Sequence, residues 1–237
     1  MASPKKKKPA ARSRKVKTKV PPCRPIRNRV VLTGGPSAGK TAVAEVLRRQ
    51  LVDEVVVLPE TATMLFSAGF PRPSTPQGRR LVQQTIYTTQ RNMECIYELT
   101  HPDITHVCDR GTLDGAGYWP GGLERFLGAM GTTLDAEYRR YDAVIFLESA
   151  AFDDGSYSKD SPVRIETPAQ ARAIDLKLRR AWEKHPHFHF VGSEHNFYEK
   201  VAAVLITLYK VLGVGVGDPR TAKRRGAKRR PKTRKRS

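Results

Sequence analysis

The side chains best suited to chemistry are concentrated in one octapeptide, Gly34-Gly35-Pro36-Ser37-Ala38-Gly39-Lys40-Thr41. The apolar run Val30-Val31-Leu32-Thr33 precedes it and an apolar-periodic stretch follows. A strand, then G-x-x-x-x-G-K-T, then a helix is the Walker A arrangement in the context it requires. Glycines let the chain turn tightly enough for consecutive backbone N–H groups to point inward at phosphate oxygens, and the helix adds the positive end of its dipole. Lys40 then reaches the β- and γ-phosphates as a point charge, and the Thr41 hydroxyl ligates Mg²⁺. Residues 34–41 are therefore expected to hold ATP, or GTP, together with its magnesium ion.

Those groups need elements to position them. Between the two ends of the chain, short β-branched runs alternate with helical patterns, which is how successive βα units of a parallel sheet read. Strands are expected over residues 29–33, 54–58, 104–108, 143–147 and 188–191. Helices are expected over 39–50, 76–99, 168–184 and 196–212, with a shorter pair within 122–140. Thr167-Pro168 is an N-cap followed by Pro at the first helical position. The fold class that follows is α/β, a P-loop NTPase built as a three-layer α/β/α sandwich with a mainly parallel five-stranded sheet. Two stretches resist the scheme, 67–75 with Pro71 and Pro73, and the polar 150–165. Long loops in such domains are functional or mobile.

Three classes of P-loop protein compete. A hydrolytic ATPase calls for Asp-Glu after its apolar Walker B strand, whereas Thr105-His106-Val107-Cys108 leads into Asp109-Arg110. A GTPase calls for Asn-Lys-x-Asp, and Ser158-Lys159-Asp160 lacks both the Asn and the spacing. A kinase needs a carboxylate to accept the proton of a substrate hydroxyl and arginines to spread the charge of the transferring phosphoryl. Strands two, three and four run into Glu60, Asp109 and Glu148. In open α/β sheets the ligand crevice lies outside the carboxyl ends of the strands, so such carboxylates can share one pocket.

The ordered set Thr33 to Thr41, Leu58-Pro59-Glu60-Thr61-Ala62-Thr63, Asp109-Arg110-Gly111-Thr112-Leu113-Asp114, Arg164-Ile165-Glu166 and Trp182-Glu183-Lys184-His185-Pro186 resembles the NadR/Ttd14-like AAA family, itself similar to deoxynucleoside and thymidylate kinases. The resemblance spans about residues 29 to 212. It implies Gly34, Gly39, Lys40 and Thr41 for the nucleotide phosphates and Mg²⁺, and Glu60 as general base. It also implies Asp109 serving Mg²⁺ through water and Arg110 on the acceptor or the transferring phosphate. Arg164 would close over the γ-phosphate from a lid over 150–165.

Each of these has a plainer reading. Glu60 can cap or salt-bridge the next segment, Arg110 can pair with Asp114 or Glu60, and Arg164 can pair with Glu166. Gln84, Gln90, Arg91 and Glu94 share helical spacing and either line an acceptor pocket or form a solvated or packed face. His185, His187 and His189 alternate into a strand and more simply straddle its faces than bind metal. Trp182 and Tyr141 read as core.

The formal charge of +20 is carried by the ends. Residues 1–29 hold 12 Lys/Arg and no acid, and residues 213–237 hold 11 with Asp218 the one acid, leaving 20 basic against 22 acidic residues between them. The domain reading is thus a disordered basic tail over 1–27, a P-loop NTPase/kinase-like domain over 28–212 and a second disordered basic tail over 213–237. Such tails suit nucleic acid or anionic lipid, the latter also implied by the likeness to Ttd14 proteins, or serve only solubility. No apolar leader follows the N-terminal lysines, and Cys23, Cys95 and Cys108 fit neither a zinc site nor a disulfide framework. No stretch reaches the roughly 20 apolar residues of a membrane span. The expected location is cytoplasmic, or nuclear in a eukaryotic cell. The expected function is transfer of the γ-phosphoryl of ATP·Mg to a small hydroxyl-bearing, nucleoside-like acceptor. The alternative is an NTP-dependent binding module, non-catalytic or slowly hydrolysing.

Overall fold

Five apolar runs assemble as β1 (Arg29–Thr33), β2 (Val55–Leu58), β3 (Thr105–Asp109), β4 (Ala143–Leu147) and β5 (Phe188–Val191) in a computed structural model that describes residues 29–152, 166–193 and 196–211. All pair in parallel in the order β2-β3-β1-β4-β5. The strands expected from sequence are these five, with shifts of one residue in β2 and β3.

The helices are α1 (Lys40–Gln50), α2 (Thr61–Ser67), α3 (Pro76–Thr100), α4 (Gly115–Tyr118), α5 (Gly122–Met130), α6 (Leu134–Tyr138), α7 (Pro168–Trp182) and α8 (Phe197–Val211). Alternate strand residues serve opposite layers. Val30, Leu32, Val107 and Ile145 pack with Val43, Ala44 and Leu47 of α1 and Val204 and Leu208 of α8. Val31, Cys108 and Val144 pack with Tyr87 of α3, Phe126 of α5 and Ala181 and Trp182 of α7. Both strand faces are therefore covered, the reason the runs show no polar alternation. The fold is the three-layer α/β/α arrangement of P-loop proteins.

This order fixes where a ligand can bind. From β1 the chain crosses one face to β2. From β3 and β4 it crosses the other face in the opposite direction, so the winding reverses at β1. The crevice at the carboxyl ends of β3, β1 and β4 is the topological switch point, and residues 34–41 leave β1 directly into it.

Two helices were not legible in sequence. α2 has only seven residues, and α4 follows a 3-10 turn over Thr112–Asp114. The helix α7 begins with a full capping box between Thr167 and Gln170. Cys108 is a buried free thiol, whereas Cys95 is disulfide-bonded, contrary to the reading of the cysteines, because sequence spacing alone does not fix spatial proximity. Among the described residues no helix is long and apolar enough to cross a membrane. Both expected tails and residues 153–165, Arg164 included, lie outside the described residues.

Candidate active site

The phosphate-loop sequence folds as its glycines require. Gly34 has φ 139°, and a Cβ there would lie 1.9 Å from the carbonyl oxygen of Leu147. Gly39, with φ 85°, caps the start of α1 in the left-handed region. Between them Ser37 also adopts positive φ, 62°, so the chain curls around its own amides.

Lys40 is 7% exposed, and its ammonium donates to the carbonyls of Gly34 at 2.8 Å and Gly35 at 2.7 Å. Burial lowers its pKa to about 8, with the Arg110 charge acting the same way against the opposing carboxylates of Glu60, Asp109 and Asp114. Thr41 is exposed and lines the cleft.

The loop is braced from behind. Asp175 of α7, 1% exposed, accepts hydrogen bonds through Oδ1 from the amides of Gly35 at 2.8 Å and Ser149 at 3.1 Å. Ser149 Oγ donates to the Pro36 carbonyl, and the Ala150 amide to the Ser37 carbonyl at 3.3 Å. One carboxylate thus ties the loop to the end of β4. Burial holds it above the usual carboxylate range although two amides stabilise its charge.

Opposite Lys40 stands an ionic cluster built by the ends of β2 and β3, which are adjacent in register. Arg110 has φ 75°, and its amide continues the sheet ladder to the Leu32 carbonyl. Its guanidinium donates to Glu60 Oε1, and through one terminal nitrogen to Asp114 Oδ2 at 3.2 Å. Burial alone would raise the Glu60 carboxyl, but the charge of Arg110, then that of Lys40, and a hydrogen bond from Thr63 outweigh it, and its pKa falls to about 2. Asp114 also accepts from the Thr33 hydroxyl on both oxygens and from Trp182 Nε1 at 2.8 Å.

Asp109 lies just beneath this surface, 4% exposed, with Oδ1 buried and unpartnered. Burial, reinforced by the Glu60 charge, raises its pKa to about 6 despite Lys40 and Arg110. An orphaned carboxylate oxygen suits a cation or its water shell. Among the described residues no group of three His, Cys, Asp or Glu could hold a metal ion alone. One hydroxyl and one carboxylate beside a phosphate cradle fit Mg²⁺, which is usually held by few protein ligands plus substrate phosphates.

Lys40, Glu60 and Arg110 thus share one cleft of about 1310 Å³ with the loop, and Asp109 adjoins it. Gln90 lines this cleft, donating to the Arg110 carbonyl at 3.3 Å and accepting from Thr61. Its helical companions differ. Gln83, rather than Gln84, faces the cleft; Arg91 does not line it. Glu94 is fully buried, accepting from Arg29, Arg140, Tyr141 and Gln90.

Glu148 turns away, accepting from the Ser193 amide at 2.9 Å. His185 is structural: Nε2 faces the carbonyls of Tyr138 and Tyr141, so it carries the proton, and Nδ1 accepts from the His187 amide. Trp182 and Tyr141 are buried as expected, yet each is tied to a carboxylate through its polar atom.

A family model described as an AAA domain matches residues 29–196. No curated protein matches the sequence. Among solved structures, deoxyadenosine kinase from M. mycoides with products dCMP and a flexible dCDP superposes with a TM-score of 0.54 at 11% identity, over 77% of this chain and 99% of that one. The same enzyme with bound dATP gives 0.55 at 12% identity, over 76% and 98%. At such identity the likeness establishes the fold alone.

Proposed function

The chain belongs to the AAA domain family, and on that premise we propose that it is a small-molecule kinase of the NadR/Ttd14-like kind, moving the γ-phosphoryl of ATP to a hydroxyl of a nucleoside-like acceptor. The observation that carries this reading is the Glu60–Arg110–Asp114 cluster facing the Lys40 loop across one cleft. When bound, ATP·Mg supplies the transferable phosphoryl group and a cation that neutralises its charge.

The protein's own residues then have separable tasks. The amides of residues 34–41 and the Lys40 ammonium hold the phosphates, Lys40 exchanging two loop carbonyls for phosphate oxygens. Thr41 and Asp109 would hold the magnesium ion, the latter through water. Glu60 is ionised at any physiological pH, so it can orient the acceptor hydroxyl and take its proton as the new O–P bond forms. Arg110, held at fixed geometry by Glu60, Asp114 and Gln90, brings a positive charge to the phosphoryl as the bond to the departing ADP breaks. Arg164 is proposed to close over that group, as its resemblance implies.

Isothermal titration of ATP·Mg into wild type and Lys40→Ala tests the first half, with at least about a tenfold loss expected. Equal affinities would refute it. ATP-dependent phosphorylation across a panel of nucleosides, nucleotides and ribosylnicotinamide tests the second. No turnover of any acceptor, together with ATP hydrolysis unaffected by Glu60→Gln, removes the kinase assignment.

A second reading rests on the 23 Lys/Arg of the two ends: an NTP-dependent module whose tails engage nucleic acid or anionic lipid. Residues 28–212 alone should keep turnover if the chain is a kinase. They should lose salt-sensitive partner binding if it is an adaptor.

A further inference from the structure

Arg110 holds a backbone conformation that a residue with a side chain disfavours, with φ at 75°. Such a residue persists where its surroundings over-determine it. Here its amide donates to the Leu32 carbonyl at 3.0 Å, and its carbonyl accepts from Gln90 Nε2 at 3.3 Å.

Gln90 reaches this turn from the middle of α3, where it is 3% exposed, and both ends of its amide are engaged. Nε2 also donates to Glu94 Oε1 at 3.1 Å, while Oε1 accepts from the Thr61 hydroxyl at 2.5 Å. Turned over, the amide would set its oxygen against a carboxylate and a carbonyl, so Glu94 fixes which way it faces. Thr61 opens α2 and directly follows Glu60. One buried side chain therefore touches both segments that carry the facing charges.

Glu94 adds a second hold. The oxygen that accepts from Gln90 also accepts from the Tyr141 hydroxyl at 2.8 Å, and that hydroxyl receives the Thr112 amide at 2.9 Å. The residues on either side of Gly111 are thus tied, one through Gln90 and one through Tyr141, to a single carboxylate oxygen. The other Glu94 oxygen accepts from Arg29 and Arg140.

The direct pair between Arg110 and Glu60 cannot maintain this arrangement through a reaction. Glu60 must leave the guanidinium to meet an acceptor hydroxyl, and from then on the backbone ties hold the two residues at their spacing. We propose that Gln90, oriented by Glu94, is a positioning residue of the site: it holds the Arg110 turn and ties it to the segment bearing Glu60. It lines the cleft, yet its amide is engaged by protein partners. Its effect on phosphoryl transfer rests on the kinase reading, whereas the clasp itself does not.

Proton exchange at Arg110 Nε–H, read from arginine ¹H–¹⁵N spectra of the full chain and assigned through R110K, tests the proposal. Wild type should exchange slowly, because Nε donates to Glu60. In Q90M, which keeps the shape and removes the amide, exchange should rise about tenfold or more. T61V keeps the amide but removes its tie to the Glu60 segment, and should raise exchange as well. M93A, also buried in α3, controls for packing loss, and its exchange should stay within about twofold of wild type. In the acceptor screen, kcat of Q90M should fall about tenfold or more, while calorimetric affinity for magnesium and a non-hydrolysable ATP analogue is retained.

Exchange in Q90M that matches wild type overturns the proposal. So does an equal rise in M93A, or a loss of ATP-analogue affinity as large as the loss of kcat. If Q90M does not fold, T61V decides alone, and unchanged exchange there overturns it. A freed Arg110 in Q90M, with no acceptor phosphorylated by wild type, leaves the clasp standing and removes the kinase reading.

Discussion

Truncating Asp175 should loosen the phosphate loop from 140 residues away in sequence. In Asp175→Ala the amides of Gly35 and Ser149 lose their shared acceptor, at 2.8 and 3.1 Å, in a place 1% exposed. Each buried N–H left unpaired costs about 1–3 kcal/mol, partly offset by relief of a carboxylate that burial disfavours, so a net loss of about 2–4 kcal/mol is expected. Asp175→Asn keeps an amide oxygen for both donors and should stay within about 1 kcal/mol of wild type. The sign with pH follows from the raised folded-state pKa. The folded protein favours the protonated carboxyl, so its contribution is present below the unfolded value and is lost as pH rises through the folded one. The balance between Asn and wild type should therefore move toward Asn as pH rises from about 3.8, the ordinary aspartate value, to neutrality. Urea denaturation at both ends of that range and calorimetry with ATP·Mg measure this, with the exposed Asp135→Ala as control. If Asp175→Ala unfolds where Asp135→Ala does and binds nucleotide as wild type does, the brace is not one.

Further outcomes are expected elsewhere. Glu94→Gln leaves Arg29 and Arg140 facing a neutral amide in a fully buried position, and a loss of about 3–5 kcal/mol in chemical denaturation is expected; a shift no larger than a surface variant's would refute it. Glu60 has a folded-state pKa near 2 against an ordinary 4.5, so its contribution, about 3 kcal/mol, is present above pH 4.5 and lost as pH falls toward 2. Acid unfolding of Glu60→Gln should lack that component, and curves parallel to wild type would contradict the ion pair. Gly34→Ala drives a methyl into the Leu147 carbonyl at a φ of 139°, so nucleotide affinity should vanish in calorimetry, and full binding would mean the loop is shaped otherwise.

The loop at 34–41 and the five strands were legible because their signals are local: glycines at fixed spacing, and apolar runs too short for helices. Glu60 and Arg110 were legible as neighbours because they follow β2 and β3, whose carboxyl ends lie side by side. The plainer reading of Arg110 also holds, since it pairs with both Glu60 and Asp114. Asp175 was not legible. It lies in an amphipathic helix among charged residues, and what distinguishes it is an amide 140 positions earlier. Gln90 and Glu94, whose helical spacing left an acceptor pocket or a solvated or packed face open, are both buried, together with Glu98 one turn on. Arg29 and Arg140, the partners that make such a polar ridge tolerable, arrive from β1 and the end of α6. Glu148 shows the converse error: it follows a strand as Glu60 does, but Ser193 and the β5 side draw it away from the cleft.

The Asp114 carboxylate gives one oxygen to the Trp182 indole and the other to Arg110. Trp182 is fully shielded from water, so its emission depends on protein dipoles alone. Any guest that draws Arg110 off Asp114 changes the field at that ring within a single carboxylate's width. The protein thereby contains its own optical gauge of the guanidinium's engagement, readable in ultraviolet light without a dye.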